Sequence, residues 1–143
     1  LNLSSIKIDS TRIDGGEWVE EIPGLGDLRL KVRGAQCAAA KELRAKMMRA
    51  LPRSDVRRDG SLPVAVAERI QNEVLAGAIL LDWDNLAIDD SAEKAPFSPD
   101  LARKLLADPD YDLFRAGVAY AAEIVQAGRA EHEEDLLGNS KAP

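Results

Sequence analysis

Four features of the sequence carry residue types that could do chemistry. The most suggestive is the acidic run Asp82-Trp83-Asp84-Asn85-Leu86-Ala87-Ile88-Asp89-Asp90-Ser91-Ala92-Glu93. Counted from Asp82, acids fall at positions 1, 3 and 12, as in a calcium-binding EF-hand loop. The fifth and sixth positions are Leu86 and Ala87, where that loop needs an oxygen ligand and a glycine, so no calcium site is expected. Asp82 and Asp84 as an acid–base pair would need a cleft and two different environments. Helix capping and solubility are the roles expected of these acids. His132, the one histidine, is flanked by Glu131, Glu133 and Glu134. A metal or catalytic role would need rigid, convergent partners, and a solvated position is expected instead. Cys37 lies in Gly34-Ala35-Gln36-Cys37-Ala38-Ala39-Ala40 with no His or second Cys nearby, and reads as a small core residue. Gly24-Leu25-Gly26 lacks the later glycine of a phosphate loop and reads as a hairpin turn. No catalytic residue, metal ligand set or cofactor site is expected, and an enzyme is the least favoured class.

The chain has 143 residues, enough for one domain with a core of its own. Its aromatic content of 4% means that the core must be built mainly from Ala, Leu, Val and Ile. No apolar run approaches the length of a membrane span. The N-terminal residues show no basic region followed by an apolar one. With the single Cys, this makes the cytoplasm the expected compartment. The formal net charge of −6 is unevenly spread. Residues 29–58 carry 10 basic and 2 acidic side chains, whereas residues 76–143 carry 6 basic and 14 acidic ones. A basic middle can hold an acidic partner, or the acidic halves of the same chain can neutralise it. The acidic total favours neutralisation. Residues 29–58 contain no helix-turn-helix spacing, zinc ligand set or interleaved aromatics, so nucleic acid is not expected as a partner.

These residues need elements to position them. Residues 5–33 read as β. Leu28, Leu30 and Val32 alternate with Arg29, Lys31 and Arg33, the period-two mark of a half-buried strand. Trp18–Ile22 is its expected hairpin partner across Pro23–Asp27. Ile6, Ile8 and Ile13 suggest a further short edge strand. Residues 34–128 read as helical. Ala39, Leu43, Met47 and Leu51 recur every four positions, with Lys41, Arg44, Lys46 and Arg49 between them, until Pro52 ends the helix. A charged, flexible loop over 52–62 leads to a second helix from Pro63 to about Leu81, expected to pack antiparallel to the first. After a polar connector, Ser98-Pro99-Asp100 reads as a capped helix start, and Asp108-Pro109-Asp110 repeats the signal. The last helix carries Leu113, Phe114, Gly117, Val118, Ala121, Ile124 and Val125. The expected fold is α+β: an N-terminal β-hairpin or small antiparallel sheet, then about four α-helices. It forms a single domain over 1–128 with a polar, frayed tail over 129–143.

The stretch from about Ile79 to Glu123 resembles a group of bacteriophage tail assembly chaperones. The residues that carry the resemblance begin with Ala78-Ile79-Leu80-Leu81, Trp83 and Asn85-Leu86, followed by an acidic connector. Pro96-Phe97-Ser98-Pro99-Asp100, Leu105-Leu106, Asp108-Pro109 and a helix with Phe114, Val118 and Ala121-Ala122 complete it. The resemblance implies a non-enzymatic protein that binds the tape-measure protein, with the tail-tube protein as a possible second partner. It would keep the tape-measure protein soluble in the cytoplasm of the infected or lysogenic host until the tail tube polymerises. Such a role asks for apolar surface that can cover a client helix. Trp83, Leu86 and Phe97, at element ends beside the connector, are the candidate client-binding residues; ordinary core packing is the competing role for all three. Two alternatives stay open: a small cytoplasmic regulator or nucleic-acid-associated protein using residues 29–58, and a structural phage tail or connector component.

Overall fold

The computed structural model describes residues 1–91 and 93–128. His132 and the expected tail over 129–143 lie outside the described residues. A 3-10 turn over Leu3–Ile6 precedes α1 (Ser10–Gly15), β1 (Glu17–Val19) and β2 (Arg29–Val32). The helix α2 (Ala38–Ala50), the helix α3 (Val64–Val74) with a π-helical turn over Leu75–Ile79, and β3 (Leu80–Asp84) follow. The chain continues through α4 (Pro99–Ala107) and a 3-10 turn over Pro109–Tyr111 into α5 (Asp112–Ala127). This is the α+β fold expected, with a three-stranded antiparallel sheet in the order β1-β2-β3.

The alternating strand takes the centre of that sheet. Leu30 and Val32 are completely buried, while Arg29 and Lys31 face the wetter side. On that side Arg29 lies 4.8 Å from the centre of the Trp18 ring and pairs with Glu20 and Asp84. β1 is shorter than expected, because Glu20–Ile22 leave the strand at Glu21, whose φ is +54°. The edge strand expected from Ile6, Ile8 and Ile13 does not form. Asp9 accepts the Arg12 N–H at 3.2 Å and starts α1, which buries Ile13 and leaves Ile6 and Ile8 exposed.

The third strand begins inside the expected second helix, at Leu80 and Leu81, and runs on to Asp84. Leu80-Leu81-Asp82-Trp83-Asp84 pairs with β2, placing Trp83 opposite Leu30 and Leu80 opposite Val32, with Leu81 as the extra residue of a bulge. The apolar run 78–81 is continuous, so its periodicity does not separate a buried helix end from a buried strand. In the structure the helix widens into the π turn at Leu75–Ile79 and stops there, and Arg33 N–H donates to Ile79 O at 3.0 Å. α2 and α3 pack against each other as expected, although only Ala40 of α2 is fully buried. Cys37 is buried as expected, and its Sγ caps α2 by accepting the Ala40 N–H at 3.4 Å.

Both Pro-containing starts are realised. Ser98 Oγ accepts the Leu101 N–H at 3.3 Å, and Asp108 Oδ1 accepts the Asp110 N–H at 2.9 Å. α5 packs across β1 and β2, burying Phe114, Val118, Ala121, Ala122, Ile124 and Val125 in one core with the sheet. At its end Arg12 donates to Val125 O at 2.6 Å and to Glu17 Oε1 at 2.7 Å, a cation placed against a helix C-terminus. The segment leaving β2 is held against the same helix: Ala35 N–H donates to Ala122 O at 3.1 Å and Gln36 N–H to Gln126 Oε1 at 2.9 Å. Gly34 permits this approach, since a Cβ there would lie 2.6 Å from Ile13 Cγ2 and 2.8 Å from Gln126 Oε1. Gly34→Ala is therefore expected to lower stability by about 1–3 kcal/mol, the usual cost of overpacking. The shift should be read as a lower urea midpoint at unchanged m-value.

Candidate functional site

Three aromatic rings meet where β3 faces the helices. The Trp83 and Phe97 ring centres are 4.8 Å apart and nearly perpendicular, and Phe114 lies 6.2 Å from Trp83 in the same edge-to-face manner. Such pairs add to the stabilisation that burial itself provides. The indole N–H of Trp83 donates to Ala95 O at 2.9 Å, and Ala95 N–H donates to Leu86 O at 2.7 Å. Those two bonds fold the connector 86–95 back on itself as a strap, with a β-bridge between Ala87 and Lys94. Lys94 Nζ also donates to Asn85 Oδ1 at 2.7 Å, and Asn85 Nδ2 to Asp27 O at 3.1 Å, tying the strap to the loop before β2.

The three residues singled out from the sequence thus take different positions. Trp83 is 5% exposed and belongs to the core. Phe97 is half-buried against it. Leu86 reaches the surface, where it lines a trough of about 380 Å³ with Leu25, Leu28, Ile88, Leu105, Tyr111 and Leu113. Leu113 also borders a second trough of about 240 Å³, lined by Ile22, Pro23, Ala116 and Tyr120. Leu113 is 71% exposed and Ile88 61% exposed. On α5, Leu113, Ala116 and Tyr120 stand at i, i+3 and i+7, which is one helical face, beside the core face of Phe114, Gly117 and Val118. Gly117 lets the 22–25 loop lie on the helix between the troughs, for a Cβ there would run into Leu25 Cδ1. Sequence reading named Leu113 among the apolar residues of the last helix without separating it from the core face, and did not single out Ile88, Tyr111 or Tyr120. Only the position of the loop and the strap leaves these side chains uncovered.

The acids expected to cap helices lie elsewhere. Asp82 and Asp84 are on β3; each accepts the backbone N–H of the next residue, and Asp84 also meets Arg29 at 3.4 Å. Asp89, on the strap, has its carboxyl held below the ordinary carboxylate value by hydrogen bonding from Ser91, side chain first and backbone second. No group of three His, Cys, Asp or Glu side chains is placed to hold a metal among the described residues. Among the same residues, salt bridges reach only Arg29 of the ten cations in residues 29–58.

A family model described as YdaY prophage protein matches residues 35–139. The chain belongs to this prophage protein family and is phage-related. No curated protein and no solved structure matches it. None of the described helices is long and apolar enough to cross a membrane.

The geometry separates core from surface in a way stability measurements can read. Trp83→Ala is expected to cost about 3–5 kcal/mol, as for other buried aromatics. Leu113→Asp should stay within about 0.5 kcal/mol of the parent chain, the usual range for a surface change. Equal losses in chemical denaturation would mean that Leu113 is covered.

Proposed function

We propose that this prophage protein is a non-enzymatic tail assembly chaperone that binds the tape-measure protein and keeps it soluble in the host cytoplasm until the tail tube polymerises. The observation that carries this reading is the uncovered apolar face of α5, with Leu113 between two troughs. Contiguous exposed apolar surface of this kind marks a docking site in soluble proteins. Its i, i+3, i+7 stripe and the flanking troughs suit an amphipathic client helix. The order of motifs between Ile79 and Glu123, which resembles tail assembly chaperones, supports the same reading. Leu86 remains a client contact, whereas Trp83 and Phe97 act beneath the surface by holding the strap and α5 in place.

Co-expression should raise the soluble fraction of the cognate tape-measure protein, and the two chains should co-purify. Leu113→Asp should weaken co-purification while the far-ultraviolet circular dichroism stays that of the parent; Leu86, half-buried against the core, is tested by the milder Leu86→Ala, which should weaken it as well. A folded parent chain that leaves the client insoluble would overturn the proposal. Its recovery as a stoichiometric part of purified virions would favour a structural tail or connector component.

A second reading, a regulator or nucleic-acid-associated protein, draws on the basic middle. Lys41, Arg44, Lys46, Arg49, Arg53, Arg57 and Arg58 make no salt bridge among the described residues. Under the chaperone reading, duplex DNA should bind no more tightly than about 10 μM at physiological salt, within the non-specific range. Sub-micromolar binding with a steep salt slope, lost on Arg53→Ala/Arg57→Ala/Arg58→Ala, would put the second reading first.

A further inference from the structure

One carboxylate lies in the lining of the uncovered apolar face, and four more are neighbours in sequence of residues that line it. Asp110 lines the larger trough itself. Asp89 and Asp90 follow Ile88 directly on the strap, Asp27 precedes Leu28, and Glu21 precedes Ile22. All five are exposed, and none makes a salt bridge among the described residues. Of the cations nearby, Arg29 pairs with Glu20 and Asp84 and Arg115 with Asp112, whereas Lys94 hydrogen-bonds the neutral side chain of Asn85 and keeps its charge, so the acids outnumber the one free cation among the described residues here. Hydrogen bonding from Ser91 keeps Asp89 ionised to lower pH than a free carboxylate.

We propose that these troughs select a cationic amphipathic helix, one whose apolar stripe is flanked by Lys or Arg. The inference rests on the reading of this face as the client site and adds the chemical class of the client segment. Apolar anchors at i, i+3 or i+4, and i+7 would fill the space around Leu113. Flanking cations would then meet the carboxylates of the rim. Rim charges of this sort govern encounter rate and partner choice more than total affinity. They also disfavour a symmetric pair of this chain through the same face, because acid would then oppose acid.

The test uses two labelled helical peptides with one shared leucine stripe, flanked by Lys in one and by Glu in the other. Binding to the whole chain is followed by fluorescence anisotropy. At about 0.1 M salt the Lys peptide should bind at least about tenfold more tightly than the Glu peptide. The difference should shrink towards about 1 M salt, where the screening length falls to about 3 Å. Replacing Asp89, Asp90 and Asp110 by Asn should reduce the discrimination. Glu42→Gln/Glu68→Gln/Asp59→Asn, which removes as many acids outside the troughs, should leave it unchanged. Leu113→Ala with Ile88→Ser should weaken the Lys peptide. Equal binding of both peptides, or loss of discrimination in the outside variant, would overturn the charge selection while leaving the docking face standing. Binding of neither peptide, or a dimer of the free chain in light scattering that Leu113→Asp breaks, would overturn the docking face itself.

Discussion

The indole of Trp83 is the interaction on which the remainder of this molecule depends. Its ring lies on the core face of β3, opposite Leu30, and meets Phe97 from before α4 and Phe114 from α5 edge to face. Its N–H is satisfied by Ala95 O, which fixes the return of the 86–95 strap. One side chain therefore sets the relative placement of the sheet, the strap and two helices. In a chain with so few aromatics, nothing else could do so over that span, since Ala and Val reach only their immediate neighbours. The same anchoring explains why the exposed face exists at all. The strap is held by its two ends, and Ile88, two residues past Leu86, is left facing water.

How much of this could be read beforehand depended on whether the signal was local. The β2 alternation, Pro52 as a helix stop, and the Ser98 and Asp108 starts are each decided within a few residues, and the structure contains them all. The third strand is not local. Residues 80–84 are strand because β2 offers an unsatisfied edge to which Arg29–Val32 can pair them, and that partner lies about fifty positions earlier. The π turn at Leu75–Ile79, with Gly77 at its centre, lies where the chain changes from helix to strand. Ile13 went astray for the opposite reason. An isoleucine-rich segment favours strand, but Asp9 caps a helical turn at Arg12 and the segment enters α1 instead of pairing with the open edge of β1.

The candidate site was legible only at Leu86. Trp83 and Phe97 carried the signal of large apolar side chains beside a polar connector, and such residues are as useful beneath a surface as on it. Leu113 shows the converse. Its spacing to Phe114 and Gly117 places it near the core stripe of α5, yet the loop over 22–25 settles on Gly117 and leaves the preceding turn bare. Which side of an apolar helix is covered is decided by what else the chain lays against it, and that information is spread over distant segments. Charge behaved similarly. The close pairs among the described residues join near neighbours, such as Arg12 with Glu17 and Arg115 with Asp112, and also distant segments, such as Arg29 with Asp84 and Arg103 with Glu73, and segment totals do not say which.

The match to the prophage family begins at Ala35, three residues past the last position of β2. The stretch that defines the family thus contains β3 but neither strand that completes its sheet. It also contains α5 without the β1 and β2 surfaces on which that helix lies. Cut at this border, the chain would present β3 as a bare edge of free N–H and C=O groups, next to an uncovered row of Phe114, Val118 and Ala121. That combination invites sheet-to-sheet association between copies. The N-terminal thirty-four residues are therefore a structural part of the unit. They act as a built-in lid for a strand edge.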